Sequence, residues 1–259
     1  MTLPRIMVAP NGARLTKTDH PALPMTIPEI TATARACQAA GAGGLHAHVR
    51  DAEGAHVLDA GLYSELLAEL AHEAPGLYVQ ITTEAVGRYS PAEQRALVET
   101  LRPAAVSVAL REITAEEDDR ITARFFAACA EAGTEVQHIL YDAADTGHLA
   151  RLVASGTIPA RNLAVLHVLG RYTAGQVSSP ADLDPPLAAQ DAAGLAPDWA
   201  VCAFGAAETD CLLAALRQGG KARIGFENNR LNHDGSIAAD NAERVRDLVA
   251  AARAEGLSL

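Results

Sequence analysis

Short apolar runs alternate with longer amphipathic stretches along nearly all of the 259 residues, and this alternation constrains the fold most strongly. The amphipathic stretches have helical spacing, and several end in Gly, as helices often do. Strands are predicted at 5–10, 44–49, 77–82, 104–109, 135–140, 163–169, 199–204 and 222–226. About eight strand–helix units in roughly 250 residues indicate a (β/α)8 TIM barrel, with residues 1–259 forming a single domain.

A doubly wound open sheet is the alternative fold. Such a sheet normally carries a glycine-rich phosphate loop after an early strand. The sequence contains neither a Gly-x-Gly-x-x-Gly motif nor a P-loop. The barrel is therefore favoured.

Charge and composition narrow the possible partners. The net charge is −11 and no basic block occurs, so no nucleic-acid partner is expected. No apolar stretch approaches the roughly 18 residues of a membrane span, and the N-terminal residues lack a signal-peptide pattern. The four cysteines form no Cys-x-x-Cys pair, which is typical of buried thiols. We expect a cytoplasmic protein without membrane contact.

The segment Leu-His-Ala-His-Val-Arg-Asp at 45–51 carries the clearest chemical signal. His46 and His48 are two residues apart on a predicted strand, so both side chains face the same side. Inside a barrel they form a two-ligand arm for a divalent metal, and imidazole favours zinc. Two strand histidines with ordinary hydrogen bonds are the other interpretation. Glu227 follows the last strand, which closes the barrel against the first, and can reach the same mouth.

Catalytic groups of such barrels lie at the C-terminal ends of the strands. Asn11 and Arg14 follow the first strand in a long loop, which is either a structured lid or a contact for an anionic ligand. Thr82 and Glu84 end the third strand, and Ser107 lies on the fourth. These polar residues are candidates for contact with a substrate.

Together the motifs resemble the β-keto acid cleavage enzyme family, of the 3-keto-5-aminohexanoate cleavage enzyme type. The resemblance covers nearly the whole chain and rests on NGARLTKTDHPALPMTIPEI, AGAGGLHAHVRDAEGAHVLD, HVLG and GGKARIGFENN. It implies a TIM barrel that holds Zn²⁺ through His46, His48 and Glu227. It also implies a reaction of a β-keto acid with acetyl-CoA, giving acetoacetate and the CoA ester of the remainder. The expected assembly is a homo-oligomer, typically a tetramer.

The resemblance implies roles for further residues. Arg223 matches the family's active-site arginine, which would orient the base or hold the substrate. Thr82 matches a hydroxyl position of the family, and Ser107 lies near another. Asn11, Arg14 and Gly170 are assigned to substrate binding. Zn²⁺ would polarise the keto group as a Lewis acid, and a cation would stabilise the enolate and oxyanion charge.

Two departures concern the general base. Asn228 stands where the family often has the Asp that abstracts a proton, and an amide cannot act as a base. A second carboxylate expected on the fifth strand is missing, because that strand reads EVQHILYD. Glu84, Glu112 and His138 remain as local candidates for the base.

Arg14 indicates the charge of the substrate. Members that act on amino-substituted keto acids carry an acidic residue at this position. A cation there repels an ammonium group and can pair with a carboxylate through two hydrogen bonds. The hypothesis is therefore an anionic or neutral β-keto acid.

A metal-dependent hydrolase of the amidohydrolase type is the main alternative function. Such barrels also carry His-x-His and later strand-end histidines, and His138 and His167 fit that pattern. They place the pair on the first strand and an Asp on the last, whereas here the pair is on the second strand and Glu227 follows the last. A CoA-ester lyase barrel and a barrel with purely structural zinc are further alternatives.

Overall fold

In a computed structural model, which describes residues 2–116 and 118–259, eight parallel strands form a closed barrel in chain order. Each predicted strand overlaps an observed one, so the predicted (β/α)8 TIM barrel is confirmed. The strands are β1 (Ile6–Val8), β2 (Gly44–Ala47), β3 (Tyr78–Thr82), β4 (Ala105–Ala109), β5 (Glu135–Leu140), β6 (Ala164–Leu169), β7 (Asp198–Ala203) and β8 (Lys221–Ile224).

Helices surround the barrel and follow every strand. They are α1 (Ile27–Ala40), α2 (Ala60–Glu73), α3 (Pro91–Leu101), α4 (Leu110–Ile113), α5 (Asp119–Ala132), α6 (Ala143–Ala154), α7 (Asp184–Ala192), α8 (Glu208–Arg217) and α9 (Asn241–Ala254). The longest have 14 residues. Among the described residues, no helix combines the length and apolar character needed to cross a membrane.

The seam between β1 and β8 closes the barrel. Met7 pairs with Arg223, and β8 pairs on its other side with β7. Asn241, at the start of α9, joins the loops on both sides of this seam. Its Nδ2 donates to the Pro10 carbonyl at 3.0 Å, and its Oδ1 accepts from the Phe226 amide at 2.9 Å. The loop after β8 is therefore held against the loop after β1.

Two apolar clusters form layers on the two faces of the barrel strands. The larger layer lies between the strands and the helices and contains outward residues such as Leu45, Val106 and Val201. The second layer fills the barrel and includes Leu166, Val168, Ala200 and Cys202. The four cysteines are buried and unpaired, as predicted. Opposite faces of the same strands supply the two layers, because side chains alternate along a strand.

Helix α1 illustrates how local sequence sets the helix boundaries. The Thr26 hydroxyl accepts from the Glu29 amide in the first turn, and the Glu29 carboxylate accepts from the Thr26 amide, forming a capping box. Gly41 ends the helix with φ of 113°, a backbone conformation that favours glycine. The Glu29 carboxylate also pairs with Lys17 at 2.8 Å, so the same box fixes the long loop after β1.

Candidate metal centre and active site

Three potential ligand atoms converge at the C-terminal end of the barrel. His46 Nε2 and His48 Nε2 are 3.2 Å apart, and Glu227 Oε2 lies 3.8 Å and 3.6 Å from them. Two ligands at about 2.0–2.1 Å in a tetrahedral zinc site are roughly 3.3 Å apart. Among the described His, Cys, Asp and Glu residues, His46, His48 and Glu227 are the three whose ligand atoms lie close enough together to hold a metal ion. The three residues of the predicted ligand set are thus brought together.

A hydrogen bond to Gln80 sets the tautomer of His46. His46 Nδ1 lies 3.0 Å from Gln80 Oε1, which only accepts, so the proton belongs on Nδ1. Gln80 in turn donates to Gln137, and Gln137 donates to the Val165 carbonyl. This chain of amides crosses the barrel interior and leaves the lone pair of His46 Nε2 free for a metal.

A hydrogen bond to His56 sets the tautomer of His48. His56 Nε2 lies 3.1 Å from the Glu84 carbonyl and must donate to it, so His56 Nδ1 is an acceptor. His48 Nδ1, at 3.4 Å, then donates to His56. The lone pair of His48 Nε2 is free and points toward that of His46.

Burial keeps both histidines neutral. Desolvation lowers the pKa of His46 well below its usual value, and the nearby Arg223 lowers it further. Desolvation also lowers the pKa of His48, with His56 and His46 adding to the effect. Neutral imidazoles are the form that binds metal, so protons do not compete at neutral pH.

Glu227 carries an unsatisfied buried oxygen. Its Oε1 accepts from Arg223 Nη2 at 3.3 Å, but its Oε2 has no hydrogen-bond partner. Burial raises the pKa of the Glu227 carboxyl, although Arg223 opposes this shift. A buried carboxylate oxygen without a partner is costly. A cation bound among the three ligand atoms would supply the missing partner, so the residues fit a divalent metal.

Two glycines allow Glu227 to reach this place. Gly12 has φ of 57°, and a Cβ at that position would lie 2.6 Å from Glu227 Cγ. Gly225 has φ of 144°, and a Cβ there would meet Asn241 Oδ1 at 3.0 Å. Side chains at either position would displace the loop that carries Glu227.

Two adjoining cavities open from the ligand atoms. The inner chamber, of about 30 Å³, is lined by His46, His48, Thr82, Glu84, Ala109, Ile139, Tyr141, Val168, Arg171, Phe204, Arg223 and Glu227. The mouth cavity, of about 760 Å³, is lined by loops that include Asn11, Arg14, His20, Glu84, Arg171, Phe204, Glu227, Asn228 and Arg230. Glu84, Arg171, Phe204 and Glu227 line both, so a ligand can extend from the mouth to the chamber.

Arg223 and Thr82 lie in the chamber, where the sequence predicts them. Arg223 is buried, and its Nε and Nη1 have no hydrogen-bond partner. These free donors are available to a substrate oxygen. The Thr82 hydroxyl accepts from the Glu84 amide at 3.0 Å and so fixes the backbone that carries Glu84.

Glu84 connects the chamber to the mouth. Its carboxylate accepts from Arg14 Nη1 at 2.7 Å and lies 3.9 Å from Arg171 Nη2. Of the three local candidates for the base, Glu84 alone lines the chamber. Glu112 Oε2 instead accepts from the Ala85 amide and Gln94.

Asn11 and Asn228 are buried beside the mouth. Asn11 Nδ2 donates to the His48 carbonyl at 3.0 Å, while its Oδ1 has no partner. Both side-chain polar atoms of Asn228 lack partners as well. Buried amides normally form hydrogen bonds, so these groups are free for a ligand.

Ser107 and Gly170 occupy supporting positions. Ser107 Oγ lies 3.5 Å from His46 Nδ1, on the side of the ring away from the ligand atoms, and does not line the chamber. Gly170 has φ of 76°, and a Cβ there would lie 2.9 Å from the Val177 carbonyl oxygen. It lines neither cavity, but it turns the chain that places Arg171 at their junction.

A model of the beta-keto acid cleavage enzyme family matches residues 5–259. The chain belongs to this family. It is therefore an enzyme that cleaves a carbon–carbon bond of β-keto acids.

Two relatives also match the chain. A 3-keto-5-aminohexanoate cleavage enzyme of Fusobacterium nucleatum subsp. nucleatum is 26% identical over 251 residues, covering 95% of this chain and 89% of that protein. A 3-oxoadipate:acetyl-CoA acetyltransferase of Cupriavidus necator is 33% identical over 110 residues, covering 42% of this chain and 38% of that protein.

Solved structures share the barrel of this β-keto acid cleavage enzyme. ObcA in binary complex with oxaloacetate aligns with a TM-score of 0.72 and 14% identity, covering 92% of this chain. The chain spans 65% of the length of that ObcA chain. The 3-dehydroquinate dehydratase of Geobacillus kaustophilus aligns with a TM-score of 0.60 and 16% identity, covering 96% and 92% of the two chains. At these identities the likeness concerns the fold alone.

The amidohydrolase alternative is not favoured. His138 faces outward and packs against the Phe126 ring of α5 at 5.1 Å. His167 also faces outward, toward Gln190 of α7 at 3.3 Å. Neither lines the chamber, so within the described residues 2–116 and 118–259 neither histidine is placed as the further metal ligand that an amidohydrolase would require. His138 is for the same reason wrong as a candidate base.

The sequence predictions do not include two residues of the site. They are Gln80 and His56, which orient the imidazoles of His46 and His48. Gln80 has the inward parity of its strand, a signal that points to it, and Tyr141, at the end of the fifth predicted strand, lines the chamber. His56 lies in a loop, and no pattern in the sequence places it next to His48.

Proposed function

We propose that this chain is a zinc-dependent, cytoplasmic and homotetrameric enzyme that condenses a β-keto acid with acetyl-CoA, giving acetoacetate and a new acyl-CoA. The observation that carries this proposal is the triangle formed by His46 Nε2, His48 Nε2 and Glu227 Oε2, with Arg223 beside it. Family membership supports the cleavage reaction, and the acetyltransferase named above supports acetyl-CoA as the co-substrate.

The donor set suits zinc. Two neutral imidazoles and one carboxylate, with room for a further ligand, are typical of catalytic zinc sites. When bound, the metal would polarise the keto carbonyl as a Lewis acid and hold the substrate carboxylate. Arg223 would contribute its two free N–H donors to the same substrate oxygens and stabilise enolate charge.

Glu84 is the proposed base. It shares the chamber lining with one other carboxylate, Glu227, which is assigned to the metal. Glu84 would take a proton from the carbon between the keto and carboxylate groups. The resulting enolate carbon attacks the thioester carbonyl of acetyl-CoA and releases CoA thiolate. That thiolate attacks the original keto carbon, and cleavage of the carbon–carbon bond yields acetoacetate and the acyl-CoA after Glu84 returns the proton.

The remaining predicted residues would bind and orient the reactants. Asn228 cannot act as a base, but its free amide can hydrogen-bond a substrate oxygen. Asn11 offers a free Oδ1 at the mouth. Thr82 would hold the backbone of Glu84, and Ser107 would steady His46. The mouth cavity has the size of an ordinary small-molecule site and would receive the thioester arm.

Arg14 and Arg171 indicate an anionic substrate. Both guanidinium groups face the single carboxylate of Glu84, and both line the mouth cavity. Two cations against one anion leave a net positive site beside the chamber. A carboxylate at the far end of the keto acid would bind there, whereas an ammonium group would be repelled. Gly170 would serve this site by positioning Arg171.

A substrate panel tests the proposal. Zinc-loaded protein is incubated with acetyl-CoA and β-keto acids that end in a carboxylate, a methyl group or an ammonium group, and acetoacetate and acyl-CoA are quantified. We expect the highest kcat/KM for the carboxylate-ended member, 3-oxoadipate, and loss of turnover after chelation. Absence of acetoacetate from every member, or hydrolysis of esters and amides instead, would contradict the reaction. Preference for the ammonium-ended member would contradict the substrate class.

Arg171→Met separates the substrate class from the reaction. This variant should raise KM for 3-oxoadipate about tenfold while changing KM for the methyl-ended keto acid by less than about twofold. Arg88→Met is the control, because Arg88 stacks on Tyr89 away from both cavities. An equal effect of Arg171→Met on both substrates would show that Arg171 does not bind the distal carboxylate.

A further inference from the structure

Tyr141 is the first residue after β5 and continues the inward alternation of that strand. Gln137 faces the barrel interior, where it accepts a hydrogen bond from Gln80. Ile139 and Tyr141 follow at intervals of two, and both line the inner chamber. The phenol therefore stands among the metal-binding residues, on the strand where a carboxylate is missing.

Two side chains contact the Tyr141 ring and hold it in place. The Arg111 guanidinium lies over the ring at 4.7 Å, and the Tyr172 ring meets it edge-on at 4.9 Å. Arg111 is itself fixed by the Asp145 carboxylate, with contacts of 2.6 Å and 3.1 Å. The Tyr141 amide donates to the same carboxylate at 2.8 Å. One buried carboxylate thus anchors both the backbone of Tyr141 and the cation that stacks on its ring.

The hydroxyl of Tyr141 forms no hydrogen bond with the described part of the chain. Tyr63 and Tyr78 donate to the Ala47 carbonyl and to Glu135, respectively. Among the residues that the structure describes, none accepts a hydrogen bond from Tyr141. A partly buried phenol on a rigid ring, with a free donor beside a cavity, is prepared for a ligand oxygen.

We propose that the Tyr141 hydroxyl donates a hydrogen bond to a substrate oxygen in the inner chamber, and that this bond strengthens when the oxygen becomes an oxyanion. The inference rests on the proposed function. No covalent bond to tyrosine forms, and the phenol keeps its proton throughout. Arg223, close enough to interact electrostatically with Tyr141, would be the cationic donor to the same charge.

The surroundings keep this donor protonated. Burial raises the pKa of the Tyr141 phenol well above its usual value, and Tyr172, Glu112 and Glu84 raise it further. The phenol is therefore a hydrogen-bond donor over the whole working pH range and not a base. This role differs from that of Glu84, which lines the same chamber and removes the proton.

Tyr141→Phe tests the proposal, because it removes one oxygen and keeps the ring and its contacts. Removing a single oxyanion donor typically lowers kcat about 10²-fold. We expect such a loss for acetoacetate formation from 3-oxoadipate, with KM raised about threefold and with metal content and Tm unchanged. Tyr89→Phe is the matched control, since Tyr89 lines neither cavity, and it should retain kcat within about twofold.

Direct binding distinguishes failure of this inference from failure of the proposed function. The zinc-loaded proteins are titrated calorimetrically with 3-oxoadipate in the absence of acetyl-CoA, where Tyr141→Phe should weaken binding about threefold or more. If the unaltered enzyme formed no acetoacetate, the proposed function would be wrong, and this titration would still decide the role of Tyr141. Unchanged kcat and unchanged binding in a fully metallated Tyr141→Phe variant would overturn the inference. So would the absence of 3-oxoadipate binding to the unaltered protein.

Discussion

The Nδ1 atoms of His48 and His56 lie 3.4 Å apart, and the proton they share determines which nitrogen of His48 can bind a metal. Because neutral His56 donates its single N–H proton to the Glu84 carbonyl, its Nδ1 can only accept from His48. A histidine from a loop thereby sets the tautomer of a histidine on a strand.

Replacing His56 by Leu removes this acceptor, and the proton of His48 is then free to move to Nε2 and block the metal. We expect zinc affinity to fall about 10–100-fold, as for other residues that orient ligands. Competition with a chromophoric chelator measures the dissociation constant. Gln80→Leu should act similarly through His46, whereas the exposed His72→Leu should have no effect. Undiminished affinity in both buried variants would contradict the tautomer assignment.

His46→Ala and His167→Ala form a matched pair, because both histidines are buried on barrel strands but face opposite sides. His46→Ala should lose stoichiometric zinc and turnover. His167→Ala should lose about 2 kcal/mol of folding stability but keep its metal. Elemental analysis of the purified proteins, together with urea unfolding, separates the two effects. Full metal content in His46→Ala would remove it from the ligand set.

Gly12→Ala tests the close approach of the first loop to Glu227. The new Cβ would displace the Glu227 side chain, so metal affinity and turnover should both fall. The backbone strain alone costs about 1 kcal/mol. Gly235→Ala is the control, because Gly235 has φ of 86° with nothing within 4 Å of its Cβ position. It should show the same strain without the loss of metal, and equal zinc affinity in the two variants would rule out the steric effect.

The contacts of Glu29 predict a contribution to the free energy of unfolding that is lost in acid. Partial burial alone would raise the pKa of its carboxyl, but Lys17 and the Met25 and Thr26 amides lower it from 4.5 to about 2. Because the folded-state pKa lies below the unfolded value, the stabilisation is complete above the unfolded pKa and is lost as pH falls toward about 2.

The variant Glu29→Gln should therefore cost about 1 kcal/mol at neutral pH, a value reduced by solvent screening, and progressively less in acid. Urea unfolding across this pH range checks the trend. Glu69→Gln, on the exposed side of α2, serves as the control. A constant difference between Glu29→Gln and the unaltered protein at every pH would contradict the linkage.

The barrel could be predicted because it depends on local periodicity, and His46 and His48 share a face by strand geometry alone. Glu227 follows the strand that closes the barrel, but its assignment as the third candidate ligand rests mostly on the resemblance to the family. The same rule could have excluded His138, which has the opposite parity from the inward Gln137 and Ile139.

Other features depend on contacts between distant parts of the chain. The hydrogen bond from His56 to the Glu84 carbonyl joins two loops, and no sequence pattern reports it. The free hydroxyl of Tyr141 becomes evident only when its neighbours are known. Helix α7 begins with Asp-Pro-Pro and has only nine residues, so its apolar periodicity is too short to detect.

The seam between β1 and β8 has a consequence for folding. His46 and His48 come from the first fifth of the chain and Glu227 from its last part, so the three ligand atoms meet only when the final strand pairs with the first. A ribosome-bound chain that ends before β8 has two ligands and no complete site. A metal that binds all three would therefore stabilise only the finished barrel. At a free metal concentration of 100 times Kd, metal binding would stabilise the closed barrel relative to the open chain by about 2.7 kcal/mol.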